Sequence, residues 1–387
     1  MDKKYRESQE QEKFYKLSNK AVEEPNSEQK TKAFKSLMNE STVERSVSNA
    51  KVKFIFPTFD GKILPTTISE HGLVNTYVCS LHSAFLRYPR EELKIIKSRL
   101  TRYLLRLLFM PFDFFFDFIK IDRHLSFNNW LFSTNLPPQI SLDVLRESTR
   151  DHSLQYPNYI LAFRSLNART HPEFFEIFRN TEWSLIPARR VYLYDNLGQA
   201  WKKKSLVKRE RKKLHGSTFL SVLPEDLKET DFKTIHSHYE QLFLEKHSHL
   251  NPQLSLEYIY KLHHYSIVEF HGLRCPESEK LVGSFGIFER NSIMTVPIIG
   301  YELKKGKNQA VYRLLISRIL ELAEERNHFL NLSSGAGPFK SLRGGQPEIE
   351  FTAIYFRHMG MIKRTALSAF VWLSKRITPR VLEKNQV

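Results

Sequence analysis

Two cysteines, Cys79 and Cys275, are all the thiols in this chain of 387 residues. They exclude a disulfide framework and a cysteine zinc site, and they suit a reducing compartment. Uninterrupted apolar runs are also missing. The nearest to a membrane span, residues 102–119 (RYLLRLLFMPFDFFFDFI), is broken by Arg106, Pro111, Asp113 and Asp117 and falls short of the roughly 20 apolar residues a bilayer demands. It reads as buried helix-to-strand structure. The first fifty residues hold no apolar signal segment, so export is not expected. Acidic side chains are in the minority, 42 against 59 Lys and Arg, giving a net charge of +17. The partner is therefore expected to be anionic: nucleic acid, acidic lipid or a phosphorylated cofactor. A cytoplasmic setting is expected, with peripheral attachment to the inner face of the membrane as the second option. Glycine is scarce, 14 in all, which makes residues 333–345 (SSGAGPFKSLRGG) conspicuous, with four glycines, a Lys and an Arg.

What is present is globular. Hydrophobic residues make up 41% and aromatics 13%, which excludes wholesale disorder, and the length suits two domains of roughly 150 residues. Residues 1–50 mix Lys, Glu, Gln and Ser without sustained periodicity and read as a flexible polar arm, dispensable for folding. From Lys51 strands alternate with helices: strands near 51–57, 158–166 and 189–195, and helices from Ser141 and near His171. Residues 201–216 (WKKKSLVKRERKKLHG) form a basic helix with eight cations against Glu210, and the domain junction is placed there. The second half repeats the plan, with helices over 230–246 and 255–264, three strands, a long helix over 308–327 and two more strands. The element order suggests an internal duplication, although no sequence repeat is visible. The domains expected are 1–50, 51–215, 216–360 and a basic amphipathic tail, 361–387.

The passage from IIGYEL through KKGKNQ into the helix at Asn308 sets a strand, a glycine-bearing basic loop and a helix N-terminus in succession. Unpaired N–H groups and the positive helix end would face an anion such as a pyrophosphate, with Gly306, Lys307 and Asn308 nearest. The same pattern is also an ordinary strand-to-helix connection. Glu350, Glu302 and Tyr301 are the titratable groups near these strands, of the types that supply a base and an acid.

This order of strands, loop, helix and strand resembles the GNAT fold of acetyl-CoA-dependent N-acetyltransferases, although KKGKNQA keeps only Gly306 and Ala310 of that family's Gln/Arg-x-x-Gly-x-Gly/Ala loop. Over residues 51–376 the motifs NWLFSTNLPP, YEQLFLEKHSHLNPQLSLEYI and LNLSSGAGPFKSLRGGQPEIEFTAIYFRHM are similar to the FemAB-related bacterial group with two tandem GNAT-type domains. The last motif carries Gly335, Phe339, Lys340, Arg343 and Gly344, then Glu350, Phe351, Ala353, Tyr355, Arg357 and His358. The resemblance implies an α/β (α+β) fold, two tandem GNAT-like domains with mixed, largely antiparallel sheets, a disordered N-terminal arm and a C-terminal amphipathic helix. It implies an acyltransferase using acetyl-CoA, another acyl-CoA or aminoacyl-tRNA, without a metal. Gly335, Lys340, Arg343 and Gly344 would then line the donor site, and Lys246, His247 and Asn251 the pocket for an amine-bearing small molecule or peptide. In the plainer reading the glycines only turn the chain, and Arg343 clamps Glu350 or Glu348.

His236, His238, His247, His249, His263 and His264 lack metal-ligand spacing and read mostly as surface or interface residues. The basic helix 201–214 could track tRNA phosphates, guide an anionic cofactor or lipid, or only solubilise. The tail reads as an interfacial helix or, by preference, one docked across two domains. The overall reading is an N-acyltransferase with its donor site in the second domain. Its rival is a non-catalytic RNA- or membrane-binding protein on the same fold.

Overall fold

The computed structural model describes residues 25–93, 99–195, 200–303 and 308–385. Its strands are β1 (Val52–Ile55), β2 (Thr58–Phe59), β3 (Lys62–Ile63), β4 (Thr66–Ser69), β5 (His124–Phe127), β6 (Ile160–Leu166), β7 (Ser184–Tyr194), β8 (Leu220–Val222), β9 (Glu269–Arg274), β10 (Leu281–Arg290), β11 (Ile293–Tyr301), β12 (Phe329–Asn331) and β13 (Gln346–Tyr355). The α-helices are α1 (Pro25–Glu40), α2 (Val43–Ser46), α3 (Tyr88–Glu92), α4 (Arg99–Ile119), α5 (Leu142–Gln155), α6 (Pro172–Arg179), α7 (Ser205–His215), α8 (Asp231–Tyr239), α9 (Leu256–His264), α10 (Asn308–Glu325), α11 (Gly337–Leu342) and α12 (Met361–Asn385). Serines start two helices where the sequence suggests it: Ser141 Oγ accepts from the Val144 N–H at 3.3 Å and Ser255 Oγ from the Tyr258 N–H at 3.1 Å, the usual N-cap bond.

Eleven strands form one sheet in the order β1-β4-β5-β6-β13-β7-β12-β11-β10-β9-β8. Only β5/β6 and β11/β12 run parallel. Each parallel pair is joined by a crossover helix, α5 in the first half and α10 in the second, as parallel strands require. The last strand of each half lies against the other half: β13 pairs with β6, and β7 pairs with β12. The chain thus has two similar halves whose edges are exchanged within one sheet. β6 is buried over all seven residues, as befits a central strand covered on both faces.

Two expectations change. The arm expected over 1–50 is packed from Pro25 onward: Phe34, Leu37, Met38, Val43, Val47 and Ala50 lie in the core that both halves share, with Tyr239, Phe270 and Phe288. The Phe34 and Trp130 rings are 4.9 Å apart. Positions 34, 37 and 38 share a helix face, and burying them stabilises by about 2 kcal/mol each. Residues 1–24 lie outside the described residues. The stretch 102–119, expected to pass from helix to strand, is helical throughout as part of α4. Its Asp113 is taken up by His82 at 2.9 Å and by Arg90, so a charge that reads as an interruption is an anchor to the preceding segment. Tail helix α12 docks on β7 through Leu367, Phe370 and Val371. Among the described residues, no helix is long and apolar enough to cross a membrane, and no group of His, Cys, Asp and Glu could hold a metal.

Candidate functional site

β11 and β12 pair at only three positions, Ile293 with Phe329, Met294 with Leu330 and Thr295 with Asn331. They then part. Two local causes are visible. On β11, Val296 and Pro297 together oppose the single Ile287 of β10, since the register passes from Thr295–Phe288 to Ile298–Gly286; this bulge turns and twists the strand. On β12, Asn331 Oδ1 accepts from the Ser333 N–H at 2.8 Å, folding the chain aside, and β7 holds the next two residues through Leu332 N–H to Tyr192 O and Tyr192 N–H to Ser333 O. Thr295 Oγ1 donating to Asn331 O at 2.9 Å is the last tie. Beyond it, the backbone of 296–301 on the β12 side has no ladder partner among the described residues, and such N–H and C=O groups call for one.

One face of the parting carries His238. Gly300 permits it, because a Cβ there would lie 2.7 Å from both the Cβ and the carbonyl carbon of His238. His238 is 5% exposed, and its Nδ1 has no hydrogen-bond partner among the described residues. Burial lowers its pKa, with the Glu302 carboxylate opposing. The imidazole is accordingly neutral near pH 7, with a free nitrogen for a proton.

The other face carries Tyr301, whose ring centroid is 5.6 Å from that of Tyr312, itself 4.9 Å from Phe339. This aromatic row bridges the gap from β11 to α11. Burial raises the Tyr301 pKa and takes that of Tyr312 to about 12, so both phenols keep their protons. Arg343 lies 3.3 Å over the Phe339 ring and donates through two of its three nitrogens to Glu210 of α7, with Nε to Oε2 at 2.7 Å. Its clamp partner is thus Glu210, not Glu348 or Glu350. Lys340 is buried and donates to Leu332 O at 2.7 Å and Ser334 O at 2.8 Å. Burial, then Arg189, pushes its pKa down to about 7. The glycine-rich stretch is a short helix between turns, with Gly335 and Gly344 at φ of 79° and 93°. Gly344 also admits Trp201, whose Cβ would be 2.5 Å from a Cβ there.

The sequence-derived candidates do not all converge. Tyr301 and Glu302 project to opposite faces of β11. Glu350 lies three strand positions from β11 in the sheet order, about 14 Å away, where its Oε1 accepts from Arg189 Nε at 2.7 Å and its buried Oε2 has no hydrogen-bond partner among the described residues. Gly306 and Lys307 lie outside the described residues, and Asn308 begins α10. Asn251 is buried and ties its own turn through Phe243 O and Ser248 O, both at 2.9 Å, whereas Lys246 and His247 are exposed. Asn251 also lines a concavity with Tyr77, Ser133, Tyr239, Pro297 and Ile298, where both halves meet beside the bulge. On basic helix α7, Arg211 is engaged by Glu321 and Glu324 of α10, which leaves Lys208, Arg209, Lys212 and Lys213 outward.

His238 is the residue that sequence reasoning undervalued. Its partner, a glycine within a strand 62 residues later, carries the only local signal, a close approach.

No family model and no curated protein matches this chain. Solved structures similar in outline include FemX (7% identity, 80% of this chain and 89% of that one, TM-score 0.45). They also include the C-terminal domain of a putative lysylphosphatidylglycerol synthetase from Agrobacterium fabrum (13%, 60% and 77%, 0.42) and a tandem GNAT protein from the clavulanic acid biosynthesis pathway (10%, 60% and 75%, 0.35).

Proposed function

We propose that this chain is an N-acyltransferase that moves an acyl or aminoacyl group from a thioester or ester donor to an amine, within two tandem GNAT-like halves. The observation that carries the reading is the parting of β11 and β12 behind a bulge. An extended, amide-bearing donor would lie along the unpaired edge of 296–301 as a strand partner, with its carbonyl toward backbone N–H groups. The N-terminus of α10, with Gly306, Lys307 and Asn308, would take the phosphates of an acyl-CoA. The exposed cations of α7 favour aminoacyl-tRNA as the second donor.

In this reading the amine approaches on the His238 face. His238 Nδ1 takes its proton, and Glu302 stabilises the imidazolium that forms. Tyr301, still protonated, hands a proton to the departing thiolate or ribose oxygen from the opposite face. Lys340 and the Arg343–Glu210 pair hold the far wall, while Asn251, with Lys246 and His247 at the rim, shapes the acceptor side. Glu350 holds Arg189 in place.

The test is thermal melting with CoA, acyl-CoA and charged tRNA, followed by transfer assays on a panel of amines. A true donor at 100 times its Kd adds about 2.7 kcal/mol of stability. No shift with any of the three, and no transfer, would leave the basic surface-binding reading in its place.

A further inference from the structure

Helix α4 is apolar on two sides, and the described residues cover only one. Phe109, Phe112, Phe116 and Ile119 pack into the cluster that also buries Leu367, Phe370 and Val371 of α12, and the Phe116 and Phe370 rings meet edge to face at 5.0 Å. On the outer side Leu100, Tyr103, Leu107, Met110, Phe114 and Phe118 follow at spacings of three and four and stand in solvent, Phe114 at 75% exposure. That spacing keeps them on one stripe of a 21-residue helix, about 30 Å long. A helix at a protein surface ordinarily carries charge on this side, and an uncovered apolar stripe of this extent marks an interaction surface.

Helix α12 extends the surface. Both helices bury their inner sides in one cluster, against Ile160 and Ala162 of β6, Ile186 of β7 and Ile354 of β13, so their outer sides look the same way. On α12 these include Met361, Ile362 and Trp372. Among them run Lys363, Arg364, Lys375, Arg376 and Arg380, with no Asp or Glu from 361 to 382. The Arg376 guanidinium lies 3.9 Å over the Trp372 ring.

Apolar and aromatic residues set among unopposed cations fit one occupant better than another. A second copy of this chain would bring the α12 cations face to face with their own kind, in a protein already at +17. An anionic bilayer accepts both the apolar stripe and the charge. We propose that the outer faces of α4 and α12 form one surface that docks on anionic lipid, the helices lying in the plane of the interface. The proposal is independent of the transferase reading.

Co-sedimentation of the full chain with vesicles of phosphatidylglycerol and phosphatidylcholine, against phosphatidylcholine alone, tests it. The wild type is expected to bind the anionic vesicles at least tenfold more tightly than the neutral ones. Phe114→Glu with Phe118→Glu, and separately Trp372→Glu, should weaken that binding at least tenfold with unchanged circular-dichroism melts, because these side chains are exposed. Lys375→Glu with Arg376→Glu and Arg380→Glu should abolish the preference for anionic lipid. A wild type that stays in the supernatant with both vesicles overturns the proposal, as do stably folded variants that bind as well as the wild type. A lipid-indifferent dimer that Phe114→Glu with Phe118→Glu splits would overturn it in favour of a second copy.

Discussion

The two parallel strand pairs have the same connectivity and opposite outcomes. In the first half all four residues of β5 pair with β6. Where β5 ends, Asn129 turns the chain aside, its Nδ2 bonded to Thr67 Oγ1 and Val78 O, and the Phe59, Phe127 and Phe163 rings close the space at 5.1 to 6.4 Å. In the second half β11 has nine residues and β12 three, so β11 runs on alone past a bulge. β6 also outlasts its parallel partner, but β13 pairs with its last residue, Leu166, and it is buried to its end; β11 outlasts β12 with no such cover on that side among the described residues and leaves a polar edge.

The histidines of the two pairs sharpen this contrast most. His124 of β5 is also buried, with Nδ1 held at 3.0 Å from Asp122 O, whereas Nδ1 of His238 has no hydrogen-bond partner among the described residues. His238→Gln should lower kcat by about 10²- to 10⁴-fold, the range for a general base, with little change in melting. Equal losses of kcat from His124→Gln and His238→Gln, measured on folded protein, would erase the distinction between the halves.

Next in size is the clamp of the open half. Arg343→Ala leaves Glu210 as an unpaired charge in the interior and should destabilise by about 3–5 kcal/mol, read from urea unfolding. A loss below about 1 kcal/mol, the range of an exposed pair, would mean that the far wall stands without it. Gly300→Ala drives a methyl into the backbone of His238 and should cost about 1–3 kcal/mol, with transfer falling alongside. Retained activity at full stability would break the link between that glycine and the site.

The smallest increment is read one pH unit at a time. Lys340 titrates at about 7 when folded and near 10.4 when unfolded, so between these values the unfolded chain binds the extra proton. Stability should therefore climb with pH through that window, by up to about 1.4 kcal/mol per unit. Lys340→Met should flatten the slope, and identical slopes for the two proteins would remove the lysine from the account.

Much of the fold was legible because its signals are local. Ser141 and Ser255 announce helices, and the strand–loop–helix passage into Asn308 is visible in the sequence as it stands. The site was legible as a place more than as a set of groups: the stretch around Gly335 does border the parting, but Arg343 answers to Glu210, 133 residues away, which no spacing announces. The bulge at Val296 and Pro297 shows only as a proline in a strand. Helix α1 was hidden by its polar surroundings, which mask three apolar positions on one face.

The exchange of β7 and β13 reaches beyond the folded state. During synthesis the first half cannot complete its sheet when its own residues have left the ribosome, since β6 waits for a strand that begins at Gln346. The nascent chain must hold an open edge until β13 has been translated. Separate expression of either half should accordingly give an insoluble product, since each would lack the strand that closes its sheet.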